Sequence, residues 1–207
     1  MLELEPPPLQ DLALRLRMQL RIGRTLEQRL TTTNAGTQPV RFSEALHNYF
    51  RVSDEAKVHI EGLAGRVFLD KNDGGNEHVQ QGHWTLDDPR DPGRSDRLFP
   101  GAGAGAGTDT HVGASAGVDA GLGDGTIGHY RLVDPGLRRH IDLAVRNAST
   151  AVVWNPGQAA AARMADVGVH WRGFVCLEAA NAGSDLVELA PGASHTLQQT
   201  ITVTATP

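Results

Sequence analysis

A single histidine stands in an otherwise apolar and aromatic run, SEALHNYF, at residues 43–50. If residues 42–52 are extended, alternation places Ala45, His47, Tyr49 and Arg51 on one face of the strand. Such a row suits a sugar, because the apolar faces of a sugar ring stack on aromatic rings while its hydroxyl groups form hydrogen bonds. The alternative is a buried histidine whose ring is satisfied by a neighbouring carbonyl group.

A carboxylate closes a second apolar run, GFVCLEAAN, where Glu178 is in phase with Phe174 and Cys176. Carboxylates are rarely placed there without a partner or a function. The alternatives are an ion pair with an arginine and a position at the strand end facing water. Asp96 in SDRLF and Asp166 in RMADV lie in sequence more typical of loops.

The segments that must position these groups have the alternation of β-strands. Residues 11–22 alternate apolar and polar side chains with a period of two, which predicts a long half-buried strand. The run LEQRLTTTN follows after Gly23, so the two runs are expected to be antiparallel neighbours. Residues 40–52 continue in strand-like sequence.

Further short runs rich in β-branched and aromatic residues are separated by glycine, proline, aspartate and asparagine. The one segment that favours a helix is GQAAAARMADV, at residues 157–167. Many short strands with glycine and proline turns predict an all-β fold, as a sandwich or barrel.

The length of 207 residues fits one β domain spanning residues 1–207. Residues 100–128 depart from the strand pattern, because glycine and alanine dominate and large apolar side chains are scarce. Such a segment buries too little surface to offset the entropy of ordering it, which predicts a flexible insertion between two strands. A silk-like aggregating segment is the alternative.

Composition and charge exclude several classes of protein. A formal net charge of -5, with arginines spread along the strands, argues against nucleic-acid binding. No apolar run is long enough for a membrane span, and the start MLELEPPPLQ lacks the features of a secretory signal, so a soluble cytoplasmic protein is expected. Cys176 is the only cysteine, which excludes an intramolecular disulfide, and no HExxH pair is present, so no metal site is predicted.

Six blocks of the chain can be compared together with known families. In order, they are SEALHNYFRVSD, HIEGLAGRVFLDK, SDRLF, VVWNP, MADV with GFVCLEAANA, and LAPGASHTLQQTITV. These blocks resemble those of the glucose-6-phosphate 1-epimerase family, the hexose-6-phosphate mutarotases, which are relatives of aldose 1-epimerase. The resemblance extends from Leu12 over nearly the whole chain, apart from the glycine- and alanine-rich segment.

This resemblance implies a galactose-mutarotase-like antiparallel β-supersandwich and an isomerase that interconverts the anomers of a hexose 6-phosphate. It implies that His47 is the catalytic histidine, Glu178 the catalytic glutamate and Asp96 a substrate-binding aspartate. The implied partner is a small-molecule sugar or sugar phosphate, with no cofactor, no metal, no nucleic acid and no membrane. The family implies a monomer.

Anomer exchange explains why two such groups suffice. The hemiacetal must open, rotate about the C1–C2 bond and close again, so a catalyst protonates the ring oxygen and takes the proton from the anomeric hydroxyl group. A histidine side chain, with an ordinary pKa of about 6.5, is a suitable acid near neutrality. A carboxylate with an ordinary pKa of about 4.3 is already ionised and is a suitable base.

The chain departs from the family pattern before Leu12, where members carry early strands, a His-Gly-Phe-Ala-Arg type motif and arginines that contact the substrate. Relative to that pattern the chain is N-terminally truncated, and Arg51, Arg97 and Arg139 are candidate replacements for phosphate binding. One alternative is an inactive or truncated paralogue that acts as a non-catalytic carbohydrate-binding β-module. Another is a protein that self-associates, or completes its sheet with another chain, through open sheet edges.

Overall fold

The computed structural model describes residues 1–7, 12–87, 93–102 and 127–207. Within these ranges the chain forms sixteen β-strands, one short α-helix and three 3-10 helices. The strands, in chain order, are β1 (Leu2–Leu4), β2 (Leu14–Ile22), β3 (Thr25–Asn34), β4 (Val40–Phe42), β5 (Glu44–Leu46), β6 (Tyr49–Arg51), β7 (His59–Glu61), β8 (Val67–Asp70), β9 (Asn76–Val79), β10 (Ser95–Phe99), β11 (Ile127–Asp134), β12 (Arg139–Arg146), β13 (Thr150–Asn155), β14 (Phe174–Asn181), β15 (Val187–Leu189) and β16 (Ser194–Ala205). The helix α1 is Gly157–Ala161, and the 3-10 helices are Glu55–Lys57, Lys71–Asp73 and Gly168–Gly173.

The strands form three antiparallel sheets across the described ranges. Sheet 1 has the order β1-β2-β3-β16-β12-β11-β7, and sheet 2 has the order β5-β14-β13-β10-β8-β9, with β6 also paired to β14. Sheet 3 is the pair β15-β4. The predicted all-β architecture is therefore confirmed, and antiparallel pairing agrees with the short turns between strands.

The main hydrophobic core lies between sheets 1 and 2. Leu143 on β12 and Leu197 on β16 meet Val153 on β13 and Val175 and Leu177 on β14, and all five side chains are buried. Each such side chain contributes roughly 1.5–3 kcal/mol relative to an exposed position. Burial of these alternate residues fixes which face of sheet 2 turns towards sheet 1 and which turns away.

The face of sheet 2 that turns away from the main core has a smaller apolar cluster. Leu98, Val152 and Ala180 form it, and Leu69 and Trp154 pack against it. These residues alternate along their strands with the core residues, as a period of two requires. The candidate site described below lies on this face.

The long N-terminal strand predicted for residues 11–22 is confirmed as β2, which begins at Leu14, while residue 11 lies outside the described ranges. It pairs antiparallel with β3, from Leu14 opposite Asn34 to Ile22 opposite Leu26. The predicted face is buried at Leu14 but exposed at Ile22.

Several apolar side chains are exposed at this end of sheet 1. The edge strand β1 pairs with β2 and leaves Leu2 and Leu4 each 56% exposed, beside Ile22, which is 69% exposed. An apolar strand at a sheet edge favours association. Self-association through the open edge stays a prediction.

Residues 40–52 form three short strands, so the expected continuous strand is interrupted. His47 and Asn48 lie between β5 and β6, where the side-chain amide of Asn48 donates to the carbonyl oxygen of Leu46 at 3.0 Å. A local side-chain bond of this kind competes with ladder hydrogen bonds. The predicted alternation is nevertheless kept, because Leu46 and Phe50 are buried whereas Tyr49 is exposed.

The predicted helix at residues 157–167 is shorter than expected. Only α1 is α-helical, and Gly157 begins it with a φ of +66°. A Cβ atom at Gly157 would clash with the carbonyl oxygen of Gly93, so this contact requires glycine.

Most of the predicted insertion, at residues 103–126, lies outside the described ranges. Strand β10 precedes it in sheet 2, and β11 follows it in sheet 1. Among the described residues, no helix combines the length and the apolar character needed to cross a membrane.

Candidate active site

Strand β14 organises the candidate site, because it has β13 on one side and both β5 and β6 on the other. Leu46 of β5 lies opposite Ala179 of β14, and Tyr49 of β6 lies opposite Cys176 of β14. The register is the same on both sides of the interruption, so His47 is the cross-strand neighbour of Glu178. Opposite residues in an antiparallel pair have Cβ atoms about 5 Å apart, which brings the two side chains into contact.

His47 and Glu178 do lie together. The Nε2 atom of His47 is 3.2 Å from the Oε1 atom of Glu178. The Glu178 side chain is only 7% exposed, whereas that of His47 is 47% exposed. The carboxylate is thus buried against the sheet, and the imidazole ring lies between it and the solvent.

Aromatic side chains surround the histidine. The ring of His47 stacks on Tyr49 with centroids 5.0 Å apart, and Trp154 meets His47 edge-on at 6.1 Å. Phe174 lies 5.0 Å from Tyr49 and 5.9 Å from Trp154. This group, His47, Tyr49, Trp154 and Phe174, gives an apolar surface of the kind that stacks against a sugar ring.

Asp96 lies across the same face. It is opposite Trp154 in the pairing of β10 with β13, and Trp154 is opposite Cys176 in β14. Asp96 is therefore two strand spacings, about 10 Å, from β14. Trp154 is on β13, between the strand that carries Asp96 and the strand that carries Glu178.

Lys71 completes the charged groups of this face. It begins the 3-10 helix that follows β8, and its Nζ atom is 3.6 Å from the Oδ1 atom of Asp96. The Lys71 side chain is 57% exposed and that of Asp96 is 28% exposed. The ion pair is thus accessible to a ligand.

Burial raises the pKa of Glu178 from 4.5 to about 7. The nearby Lys71 cation opposes this rise in pKa, and the Asp96 anion adds to it. A carboxyl group removed from water favours its neutral form, which explains the direction. Glu178 therefore changes its protonation state near neutral pH, and it is less fully ionised at pH 7 than the ordinary glutamate pKa predicts.

Comparison with known proteins identifies the family. The family model described as aldose 1-epimerase matches residues 9–202. The chain belongs to the aldose 1-epimerase family. This family match covers every strand from β2 to β15, most of β16, and all the candidate residues.

Individual members of the aldose 1-epimerase family show the same relationship. An Escherichia coli K12 protein, described as a candidate glucose-6-phosphate 1-epimerase, is 30% identical over 164 residues, which cover 78% of this chain and 44% of that protein. The crystal structure of YeaD from Salmonella typhimurium, a candidate mutarotase, has a TM-score of 0.69 and 26% identity, and covers 93% of this chain and 54% of YeaD. The resemblance found in the sequence is confirmed, and the chain spans about half the length of these relatives.

The fold resemblance extends to proteins of much lower sequence identity. A galactose mutarotase-like protein from Clostridium acetobutylicum has a TM-score of 0.62 at 10% identity, over 98% of this chain and 61% of that protein. The expected galactose-mutarotase-like fold is confirmed by these structures.

Sequence reasoning brought His47, Glu178 and Asp96 forward and missed Lys71. The lysine is the last residue of the block HIEGLAGRVFLDK, but a lysine in a turn is ordinary surface sequence. Only the pairing of β8 with β10 brings it beside Asp96. Burial raises the pKa of the Tyr49 phenol, and the charges of Cys176, Asp166 and Glu178 add to the rise, which places Asp166, in the turn after α1, near this ring.

We expect replacement of Glu178 by glutamine to stabilise the protein at high pH. The folded chain raises the pKa of Glu178, so between about pH 4.5 and 7 it binds more protons than the unfolded chain, and the free energy of unfolding falls as the pH rises. Above pH 7 this loss is complete and is about 3 kcal/mol. Glu178→Gln should therefore unfold with a free energy about 3 kcal/mol higher than the wild type at pH 8, and close to it at pH 4.

Urea unfolding at the two pH values measures this difference. Glu188→Gln, at an exposed position of β15, is the matched control and should behave as the wild type at both. A Glu178→Gln protein that is less stable than the wild type at pH 8 would contradict the burial argument.

Proposed function

We propose that the chain interconverts the α and β anomers of a hexose 6-phosphate by acid and base catalysis of ring opening. The observation that carries the proposal is the 3.2 Å contact of His47 with the buried carboxyl group of Glu178. The family membership supports anomer exchange as the reaction class. The E. coli relative, a candidate glucose-6-phosphate 1-epimerase, supports a 6-phosphate as the substrate.

In this mechanism the His47 imidazolium donates a proton to the ring oxygen, and the Glu178 carboxylate accepts the proton of the C1 hydroxyl group. The bond between C1 and the ring oxygen breaks, which leaves an aldehyde at C1 and a hydroxyl group at C5. After rotation about the C1–C2 bond, both protons return in the reverse direction as the ring closes. Because both oxygens are bonded to C1, two side chains that touch each other can reach them.

The near-neutral pKa of Glu178 suits this cycle. A base that is too weakly basic accepts a proton poorly, and one that is too basic is already protonated at the working pH. A pKa of about 7 lets the same carboxyl group accept a proton and return it within one turnover. On the acidic side of about pH 7 the exchange rate should rise with pH, because the Glu178 carboxyl group must be ionised to act as the base.

Asp96 and the aromatic group would hold the sugar between them. In this proposal Asp96 accepts hydrogen bonds from ring hydroxyl groups, while Trp154 and Tyr49 contact the apolar face of the ring. Fixing the ring in one register places C1 against the acid and the base.

Phosphate binding is best assigned to cations on the same face as Glu178. Lys71 lies beside Asp96, and Arg51 follows Tyr49 on the exposed side of β6. Arg97 does not suit this role, because it is fully buried, its guanidinium group lies over the Phe68 ring, and it donates to Gln80. Arg139 donates to the carbonyl oxygen of Arg51 at 2.6 Å, so it supports β6 from sheet 1.

We expect the full chain to accelerate anomer exchange of glucose 6-phosphate, measured by two-dimensional exchange NMR. His47→Ala and Glu178→Gln should each lose roughly 10²–10⁴-fold in rate, the usual contribution of a positioned proton transfer. His140→Ala is the matched control, because His140 forms a histidine–carboxylate pair with Asp142 on β12 of sheet 1 and should keep the full rate.

Two results would contradict the proposal in different ways. Wild-type exchange no faster than that of the His47→Ala, Glu178→Ala double variant would reject catalysis, and saturable sugar binding in that case would identify a carbohydrate-binding module. Equal values of kcat/KM for glucose and glucose 6-phosphate would reject phosphate recognition and would leave the proposed mutarotase reaction intact.

Replacing the two charges near Glu178 should move the pH dependence of the rate in opposite directions. Lys71→Met removes a cation that lowers the pKa of Glu178, so the half-maximal rate should shift to higher pH. Asp96→Asn removes an anion that raises this pKa, so the half-maximal rate should shift to lower pH. Rate profiles of the residual activity between pH 5 and 9 measure both shifts.

Lys57→Met provides the control, because Lys57 forms a similar ion pair with Asp54 on another 3-10 helix and should leave the profile unchanged. Shifts of the two site variants in the same direction would show that another group controls the pH dependence.

A further inference from the structure

A second group of ionisable side chains lies on sheet 1, apart from the residues proposed for catalysis. His59, Glu61 and His83 each present one ligand atom, and these three atoms lie within 4.8 Å of one another. The Nε2 atom of His59 is 3.5 Å from the Oε1 atom of Glu61, and the imidazole rings of His59 and His83 have centroids 5.1 Å apart.

The backbone explains why these three side chains meet. Ile60 and Trp84 form an antiparallel bridge, in which each amide donates to the other's carbonyl oxygen at 2.9 and 3.0 Å. Both of their side chains are fully buried, so the residues next to them point outwards. Antiparallel pairing places His83 opposite Glu61, and His59 is two residues away on the same face.

We propose that His59, Glu61 and His83 bind one divalent transition-metal cation, with zinc as the best match. Two imidazole nitrogens and one carboxylate oxygen are a common zinc donor set, with water as the fourth ligand. Magnesium and calcium prefer oxygen ligands and fit less well. With zinc–ligand distances of about 2.0–2.2 Å, tetrahedral ligands lie about 3.3 Å apart. The observed separation of 3.5 Å between His59 and Glu61 is close to this value.

The surroundings leave the three ligands accessible. The side chains of His59 and Glu61 are 30% and 34% exposed, and His83 is exposed, so a cation and a water molecule can enter. Arg131 lies opposite Glu61 on β11, but its Nε atom donates to Asp142 at 2.6 Å. The positively charged guanidinium group of Arg131 is thereby directed towards β12.

The bound cation would link the edge strand β7 to the segment that carries His83. That segment is anchored on β10 at two points, on either side of Asp96. The indole nitrogen of Trp84 donates to Ser95 at 3.1 Å, and Gln80, which accepts from Arg97, donates to the carbonyl oxygen of His83. We therefore assign the cation a structural role in holding the strand that presents Asp96.

Calorimetric titration of the metal-free full chain, without a polyhistidine tag, with zinc chloride tests the proposal. The expected result is one saturable site per chain and a rise in melting temperature with added zinc. Glu61→Gln and His83→Ala should each weaken binding by at least about tenfold, because loss of even an outer-shell partner costs 10–100-fold. The His78→Ala control removes a histidine from a simple ion pair and should bind zinc as the wild type does.

Cobalt substitution gives a second measurement that does not depend on variant stability. Bound Co²⁺ should show the strong visible absorption of a four-coordinate site, and Glu61→Gln should change that spectrum. Absence of a one-to-one site in the wild type would overturn the proposal. Binding that is lost in His47→Ala but kept in His83→Ala would also overturn it, because the zinc would then be at the His47 and Glu178 pair.

Discussion

The removal of the Glu178 carboxyl group from water is the constraint on which the candidate site depends. The Glu178 side chain is only 7% exposed in the β-sheet, and this burial raises its pKa towards neutrality. The Lys71 cation lowers the pKa and the Asp96 anion raises it. The same burial that lowers the free energy of unfolding at high pH gives the carboxyl group a pKa suited to accepting and returning a proton near pH 7. In the proposed mechanism, stability and reactivity are therefore linked at this position.

The sheet supplies this environment through register. Strand β14 is paired with β13 on one side and with β5 and β6 on the other. The backbone of Glu178 therefore cannot move towards solvent without breaking hydrogen bonds between strands. His47 belongs to a short interruption between β5 and β6 that keeps the register of both strands, which leaves its ring free of the core while holding it against Glu178. The main core on the opposite face of sheet 2, including Val175 and Leu177, holds β14 in place.

Alternation and turn residues were enough to predict an all-β chain and the long pair of β2 and β3, because these depend on local periodicity. Ordered sequence blocks brought forward His47, Glu178 and Asp96. The proximity of Lys71 to Asp96 and the raised pKa of Glu178 could not be predicted, since both depend on strands distant in sequence. The cluster of His59, Glu61 and His83 was missed for a similar reason: a search for histidines at helical spacing does not detect ligands joined by one cross-strand bridge.

Direct titration of the Glu178 carboxyl carbon by ¹³C NMR, assigned by comparison with Glu178→Gln, measures the pKa on which the proposed site depends. We expect a midpoint near pH 7 in the folded chain. A midpoint near the ordinary glutamate value of 4.5 would show that the carboxyl group is solvated, and it would contradict both the linkage to stability and the proposed role in proton transfer.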